Sequence, residues 1–530
     1  MEKMERFFPF KASGKNRLKI AYILLLFILA LGFLLRIYKI KDYIVFLGDE
    51  GRDALVTYGI LHGDLTLLGP TSSVGGFFLG PIYYYMISPF LWLWGFDPVG
   101  PAVMVVLFGI ATILLVYIVG KEFFGKKAGL IASLLYAISP IVIIYSRSSW
   151  NPNVFPFFTI ASLFALYKAV EKKNKWLFIF SGFLMGINLQ IHYLATFVGT
   201  VMFFYVFFVD FKLRLVWFTK LIKRYGLMLA GFLIGFSPFL AFEFRHQFTN
   251  TQNIVRFVLD SPETGIGNQI LANIQHVFLR LFGGLMLNFP LSSSFKDFDP
   301  ALITVWWLVS IILGLLATVV FLGFFIKKIN NKSEFQKYFL IFVWGALGIG
   351  LFAFYKKPIF DYYLGFLFPL PFFLVSLLFS KISTGFKKPG TVIVFVLIAF
   401  MVLINLKQTP ISRPGNNQVL QVKLISDFVL SKTEEEPFNF ALMSGGNSDH
   451  AYRYFFKLSG RDPVVIEGLD VDPQRNSVTN QLLVICEKSV PCAPLGYSLW
   501  EVAGFGRAEI DGHWEYQQVE IFKLVHYGEE

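Results

Sequence analysis

Along the first four hundred positions, long apolar runs alternate with short basic ones. Runs such as IAYILLLFILALGFLLR (20–36) have the ~17–25 residues that carry a helix across a bilayer. Eleven spans fit, near 20–36, 101–120, 128–145, 154–170, 176–191, 194–210, 227–242, 301–326, 338–354, 363–380 and 391–406. Positive charge collects in the loops KEFFGKK (121–127), KAVEKKNK (168–175), FKLRLVWFTKLIKRYG (211–226), KKINNKSEFQK (327–337) and KISTGFKK (381–388). The tail before the first span adds Lys3, Arg6, Lys11, Lys15, Arg17 and Lys19. Basic loops mark the cytoplasmic side. An odd number of spans from a cytoplasmic N-terminus then puts 37–100, 146–153, 243–300, 355–362 and the residues after 406 outside. Arg36, Lys39 and Lys41 run against that bias.

One apolar stretch, FFLGPIYYYMISPFLWLWG (77–95), is left over. Counting it as a span would reverse every later loop. Its Tyr83, Tyr84, Tyr85, Trp92 and Trp94 suit the headgroup zone, so a helix lying at the interface is expected. The first span has no small-residue cleavage pattern after it and reads as a retained helix, not an excised signal peptide. From 407 the pattern changes. FNFALMS, PVVIEG, NQLLVICE and WEYQQVEIFKLV read as strands separated by Gly, Pro, Asn and Asp, which predicts a small α/β domain over 407–530 behind a membrane domain over 1–406. Cys486 and Cys492, in CEKSVPC, are either a short disulfide loop or two free thiols.

Composition agrees with this reading. The 530 residues are 55% hydrophobic and 15% charged and include 63 Phe, which points to a polytopic α-helical protein of the cell membrane. The net charge of +12 lies in inter-span loops and not on one soluble face, so no nucleic-acid partner is expected.

Polar groups gather on one side. Asp49, Glu50, Arg52 and Asp53 follow the first span in FLGDEGRD, where they either cap the helix that follows or face a cavity. Lys356, Lys357, Tyr362 and Tyr363 lie in YKKPIFDYYLGFLFP. Paired lysines there either snorkel to headgroups or hold a lipid phosphate. Arg147 and Asn151 in SRSSWNPN, His192 after the fifth span, and Tyr84 reach the same side as candidate substrate contacts. In the tail, SDHAYRYFFKLSG (448–460) presents Asp449, His450, Tyr452 and Arg453 either to a glycan or as a solvated helix start.

An Asp-Glu pair opening the first external loop, Gly/Pro-flanked aromatic interfacial segments and a span ending in SRSSWNPN together resemble the C-type membrane glycosyltransferases. The similarity is to the branch of the dolichyl-phosphate-mannose protein mannosyltransferases and the lipid A aminoarabinose transferases, over about 20–406. The resemblance implies that Asp49, with Glu50 beside it, stands at the catalytic centre. It also implies that Lys356, Lys357, Tyr362 and Tyr363, with Arg52, hold the donor phosphate. Two positions depart from the family: Asn151 or Asn153 stands where relatives often have an acid, and Asp361-Tyr362-Tyr363 replaces an Arg-Tyr pair.

The expected reaction moves a sugar from a polyprenyl-phosphate donor in the membrane to an acceptor hydroxyl of a protein, lipid or glycan, with inversion and Asp49 as general base. No metal is expected to be obligatory, although Asp49, Glu50 and Asp53 carry oxygens suited to Mg²⁺ or Mn²⁺. The rival classes are a flippase of lipid-linked sugars and an oligosaccharide transferase or polymer ligase. Charges gathered at one face, with no repeat of the early pattern, disfavour the flippase.

Overall fold

The computed structural model describes residues 14–72, 76–212, 217–260, 269–488 and 491–528. The basic residues Lys3, Arg6, Lys11 and Arg214 lie outside the described residues. Among the described residues, eight helices are long and apolar enough to cross a membrane: Lys19–Ile37, Val99–Phe124, Asn151–Lys172, Ala195–Lys212, Ile270–Leu287, Pro300–Lys328, Lys332–Phe354 and Lys387–Lys407. Two bent pairs, Phe218–Gly235 with Ser237–Arg245 (72°) and Asp361–Leu367 with Pro369–Gly385 (57°), raise the number to ten.

The expected eleven spans differ from this in three places. The 128–145 run is split into Lys126–Ile138 and Pro140–Tyr145, because Pro140 has no N–H for the helix ladder. Ser139 at the break instead donates to Leu285 O at 2.7 Å. The run at 176–191 is the 17-residue helix Lys175–Ile191, just short of a full crossing. The third difference is an addition. Ile270–Leu287 has the length of a span but lies inside a stretch expected outside. Asn273 Nδ2 donates to Tyr355 O (2.7 Å), Asn405 Nδ2 to Met286 O (2.9 Å) and Trp306 Nε1 to Leu287 O (3.1 Å). Tyr355 follows the C-terminal end of Lys332–Gly350, Asn405 lies at the C-terminal end of Lys387–Lys407, and Trp306 lies near the N-terminal end of Pro300–Lys328, helices that alternate in direction along the chain. Both ends of Ile270–Leu287 are therefore tied to one side of the bundle.

Helix Asn151–Lys172 is the most buried (72%), whereas Pro300–Lys328 and Lys387–Lys407 (28% and 22%) expose rows of Leu, Val and Phe, as lipid-facing rim helices do. Lys175–Ile191 and Trp217–Gly235 touch backbone to backbone. A Cβ on Gly182 would sit 1.9 Å from Met228 O, and one on Gly231 would sit 1.8 Å from Ile179 O. Small residues permit that approach. Side-chain oxygens of Asn174, Asp299 and Asn331 cap three helix starts.

Two of the three misplaced basic residues, Arg36 and Lys41, have internal partners. Arg36 is buried and donates to Ser146 Oγ (2.7 Å), Gly32 O and Ala137 O (3.0 Å each). Lys41 pairs with Asp97 at 2.8 Å. A cation held this way carries no information about the side of the membrane. The stretch 77–95 contains the twelve-residue helix Ile82–Leu93, too short to cross the ~30 Å hydrocarbon core. Tyr83 and Tyr84 are buried while Trp92 is exposed, so its aromatic cluster divides between the core and the surface.

The C-terminal residues form a four-stranded sheet ordered β1-β2-β4-β3, from Asn439–Met443 (β1), Gln481–Glu487 (β2), Ala508–Tyr516 (β3) and Val519–His526 (β4). β1 and β2 are parallel, joined by a crossover that contains helix His450–Leu458. β3 and β4 form a hairpin on Gln517 and Gln518, both with positive φ, as a two-residue type I′ turn requires. Of the expected strands, PVVIEG supplies only a single bridge, Asn439 to Val464, and WEYQQVEIFKLV is a hairpin. Cys486 and Cys492 form a disulfide.

One hydrophobic cluster runs from the first loop into this domain. Ile44, Phe46, Ala54 and Leu91 share it with Val422, Phe440, Tyr454 and Ile485. The rings of Phe46 and Tyr454 meet at 5.8 Å, and Tyr454 OH donates to Phe96 O at 2.6 Å. The sheet domain is thus packed on the loop that carries the acidic doublet.

Candidate active site

The acidic helix, Gly48–Leu61, places its carboxylates in its first turn and a half. Acids are favoured there by the helix dipole. The two alternatives read from the sequence divide between neighbours. Glu50 takes the capping role: its Oε2 accepts the Leu47 N–H at 3.1 Å and its side chain is buried. Asp49 keeps its side chain 51% exposed. Arg52 lies between Asp49 and Asp53. Its Nη1 donates to Asp49 Oδ1 (2.8 Å), and Nε and Nη2 donate to Asp53 Oδ1 (3.1 and 2.8 Å). Asp53 is 1% exposed, and its Oδ2 has no partner among the described residues.

Burial pushes the Glu50 carboxyl up to about 7. Burial also raises Asp53 to about 7, against the pull of the Arg52 guanidinium. A carboxyl held at about 7 in the fold, against 4.5 for an ordinary glutamate, binds its proton more tightly when native than when unfolded. Stability therefore falls as pH rises through that window and levels off above it, by on the order of 3 kcal/mol for Glu50. Thermal unfolding of the detergent-solubilised protein should show Tm decreasing from pH 4.5 to about 7, and Glu50→Gln should flatten this decrease. An unchanged slope would place Glu50 in water.

Next to the acids, Tyr83 OH and Ser149 Oγ are 2.9 Å apart, and Tyr84 is hydrogen-bonded to Arg52. Ser149 leads directly to the second half of the site, because the Trp150 ring packs on Tyr362 with centroids 4.5 Å apart. Tyr362 and Tyr363 (4.5 Å) meet the His192 ring at 6.1 and 5.7 Å, and the hydroxyls of Tyr193 and Tyr355 are 3.2 Å apart. Lys356 and Lys357 lie in the same loop, the first exposed and the second half-buried. SRSSWNPN therefore joins Tyr83, beside the acidic helix, to the lysine-tyrosine loop through two consecutive side chains.

Several expected contacts do other work. Both terminal nitrogens of Arg147 donate to main-chain oxygens, Leu35 O and Tyr38 O at 2.7 Å each, and its guanidinium stacks over Tyr43 at 5.1 Å. It fastens the exit of the first span. Asn151 Nδ2 donates to Ile191 O at 2.7 Å. His192 Nδ1 accepts from Leu194 N at 3.1 Å, its ring stacks on Phe155, and burial lowers it to about 3. It is a neutral packing group at the edge of the tyrosine cluster. Arg52 braces two carboxylates before it meets any phosphate.

Sequence reasoning missed Arg280. Its Nε and Nη2 grip both oxygens of Asp361 at 2.7 Å each, and its Nη1 donates to Phe289 O at 2.8 Å. Asp361 stands where the resembled family has an arginine; here the arginine reaches that point from another segment. The signal was present: a lone arginine in the apolar run LANIQHVFLRLFGG demands a partner. Asn447 and His450, from the sheet domain, also come up against the acidic helix. Among the described residues no three His, Cys, Asp or Glu side chains converge as a metal site would require. Asp49 and Asp53 both engage Arg52, and Glu50 turns back on the backbone.

Residues 79–242 match the dolichyl-phosphate-mannose-protein mannosyltransferase family. A putative mannosyltransferase of Bacillus subtilis, YkcB, is 34% identical over 83 residues, which is 16% of this chain and only 12% of that protein. The structure is similar to ArnT from Cupriavidus metallidurans bound to undecaprenyl phosphate, with TM-score 0.57 and 12% identity over 96% of this chain and 98% of that one. It is also similar to the archaeal oligosaccharyltransferase AglB from Archaeoglobus fulgidus in complex with an inhibitory peptide and a dolichol-phosphate. There the TM-score is 0.56 and the identity 12%, over 89% of this chain and 70% of that one. A helical membrane bundle, an acidic first loop and a sheet domain docked on that loop, matched over nearly the whole chain, give this protein the fold of the C-type membrane glycosyltransferases.

Proposed function

We propose that the protein transfers a sugar from a polyprenyl-phosphate donor to an acceptor hydroxyl, on the extracytoplasmic face of the cell membrane, with inversion at the anomeric carbon. The observation that carries this reading is the exposed Asp49 carboxylate on a braced helix. It stands one short segment away from a loop holding two lysines and a tyrosine cluster. The two similar structures that hold undecaprenyl phosphate and dolichol-phosphate support a lipid phosphate as donor. The basic loops on the opposite side of the bundle support the orientation.

Arg52 holds Asp49 Oδ1, which leaves Oδ2 to accept the acceptor's hydroxyl proton. As that proton leaves, the acceptor oxygen bonds the anomeric carbon. The bond from that carbon to the phosphate oxygen breaks, and its electron pair goes to the phosphate. Lys356 and Lys357 balance the charge growing there. Polyprenyl phosphate and the glycosylated acceptor, a protein, lipid or glycan, are the products. No side chain forms a covalent intermediate, and no step is routed through a metal.

The test incubates purified full-length protein with radiolabelled polyprenyl-phosphate monosaccharides and oligosaccharides and follows label into acceptors. Transfer is expected. Movement of lipid across vesicles without transfer would replace this reading with a flippase. Charge-assisted hydrogen bonds contribute about 1.5–3 kcal/mol each. The double substitution Lys356→Ala, Lys357→Ala should therefore raise the donor KM about 10²–10⁴-fold. An unchanged KM would leave both lysines at the headgroups.

A further inference from the structure

The helix that carries Asp49 begins on Leu47, whose side chain offers no oxygen to its free amides. Helices without a capping side chain leave their first N–H groups to water or to another element. Glu50 takes the Leu47 N–H, and another element caps the next amide, that of Gly48. The Gly48 N–H donates to Asn447 Oδ1 at 2.9 Å, from the loop between β1 and helix His450–Leu458. The orientation of the Asn447 amide is set on its other side. Nδ2 donates to Glu487 Oε1 at 2.9 Å, an oxygen that also accepts Tyr452 OH at 3.4 Å. The Asn447 N–H donates to Ser444 Oγ (2.9 Å), and Ser444 Oγ donates to Asn447 O (2.7 Å). Glu487 closes β2 beside the Cys486–Cys492 disulfide, so the arm holding Asn447 is anchored in the sheet.

The fit around this contact leaves no slack. A Cβ on Gly48 would lie 2.1 Å from Ser448 Oγ, and one on Gly51, a turn later, would lie 2.3 Å from Ala451 N. The two glycines let the crossover loop and the acidic helix meet at backbone distance on the face next to Asp49.

We infer that Asn447 is a positioning residue, with which the C-terminal domain caps the acidic helix and sets the direction of Asp49. This rests on the transferase reading for its effect on rate, but the cap itself can be measured without it. An asparagine is needed at 447 because it must accept on one side and donate on the other. An aspartate there would still accept from Gly48 but would face the Glu487 carboxylate. Exchanging the two roles should restore the network, since a glutamine at 487 can donate to an aspartate at 447.

The experiment uses full-length protein in detergent with three variants: Asn447→Ala, Asn447→Asp, and Asn447→Asp combined with Glu487→Gln. Each single variant is expected to lower kcat about tenfold, equal to ~1.4 kcal/mol, with donor KM unchanged. The double variant is expected to return within about threefold of wild type. Hydrogen exchange of a peptide spanning 44–56 should be about tenfold faster in Asn447→Ala, the loss a missing cap produces. A double variant as slow as Asn447→Asp, or exchange unchanged in Asn447→Ala, overturns the inference. If wild-type protein transfers no sugar from any donor, the transferase reading fails, and the exchange rates alone decide whether Asn447 caps the helix.

Discussion

If Asp49 is the proposed general base, Asp49→Asn should lower the transfer rate by about 10²–10⁴-fold, the range such a base contributes, with donor KM nearly unchanged. The substitution is isosteric, and its amide oxygen still accepts from Arg52 Nη1, so the helix, the Arg52 brace and the contacts of Asp53 are kept. What is lost, on the proposed mechanism, is the oxygen that takes the acceptor's proton. Glu50→Gln serves as the comparison. Glu50 is buried and bonded to Leu47 N, so its replacement alters stability against pH much more than the chemical step. Measured with a radiolabelled polyprenyl-phosphate sugar, transfer by Asp49→Asn at more than a tenth of the wild-type rate would remove Asp49 from the reaction. The role would then pass to Asp53, whose Oδ2, without a partner among the described residues, is the next candidate.

How far the sequence reveals this arrangement depends on the range of the interaction. Apolar runs and basic loops are local patterns, and they locate most helices to within a few residues. FLGDEGRD and YKKPIFDYY are also local, and the chain brings them near one another through Tyr83–Ser149 and Trp150–Tyr362. A broken helix is harder to read. The 128–145 run is apolar throughout, and only Pro140 hints that it divides at Ser139. Ile270–Leu287 was hidden for the opposite reason, since Asn273, Gln275 and His276 dilute its apolar signal. Contacts across the chain leave no periodic trace. The Gly48–Asn447 bond spans 399 positions, and nothing in LGDEG or GGNSDH announces its partner. For the same reason Arg147 and Asn151 looked like substrate ligands: a polar side chain near a membrane surface is visible in a sequence, while the main-chain oxygens that satisfy it are not.

Arg280 gives the largest expected effect on stability. Its side chain is 5% exposed and that of Asp361 15%, and the two form a two-pronged ion pair within an apolar surround of Leu281, Phe282 and Tyr363. Removing one member of a buried pair leaves the other charge without a counterion, at a cost of about 3–5 kcal/mol. Arg280→Met should lose that much in reversible unfolding from mixed micelles. It should also reduce transfer, because Asp361 opens the turn that sets Tyr362 against Trp150 and Tyr363 against His192. The cost comes mainly from the stranded carboxylate and not from a net attraction. Arg280→Met combined with Asp361→Leu should therefore regain most of the stability. Activity should follow a different course. If Asp361 only anchors the turn, the double variant regains transfer along with stability. If the pair also tunes the field at the donor phosphate, stability returns while the rate stays low. A single Arg280→Met variant as stable as wild type would mean that water reaches Asp361, and the turn bearing the tyrosines would then need another anchor.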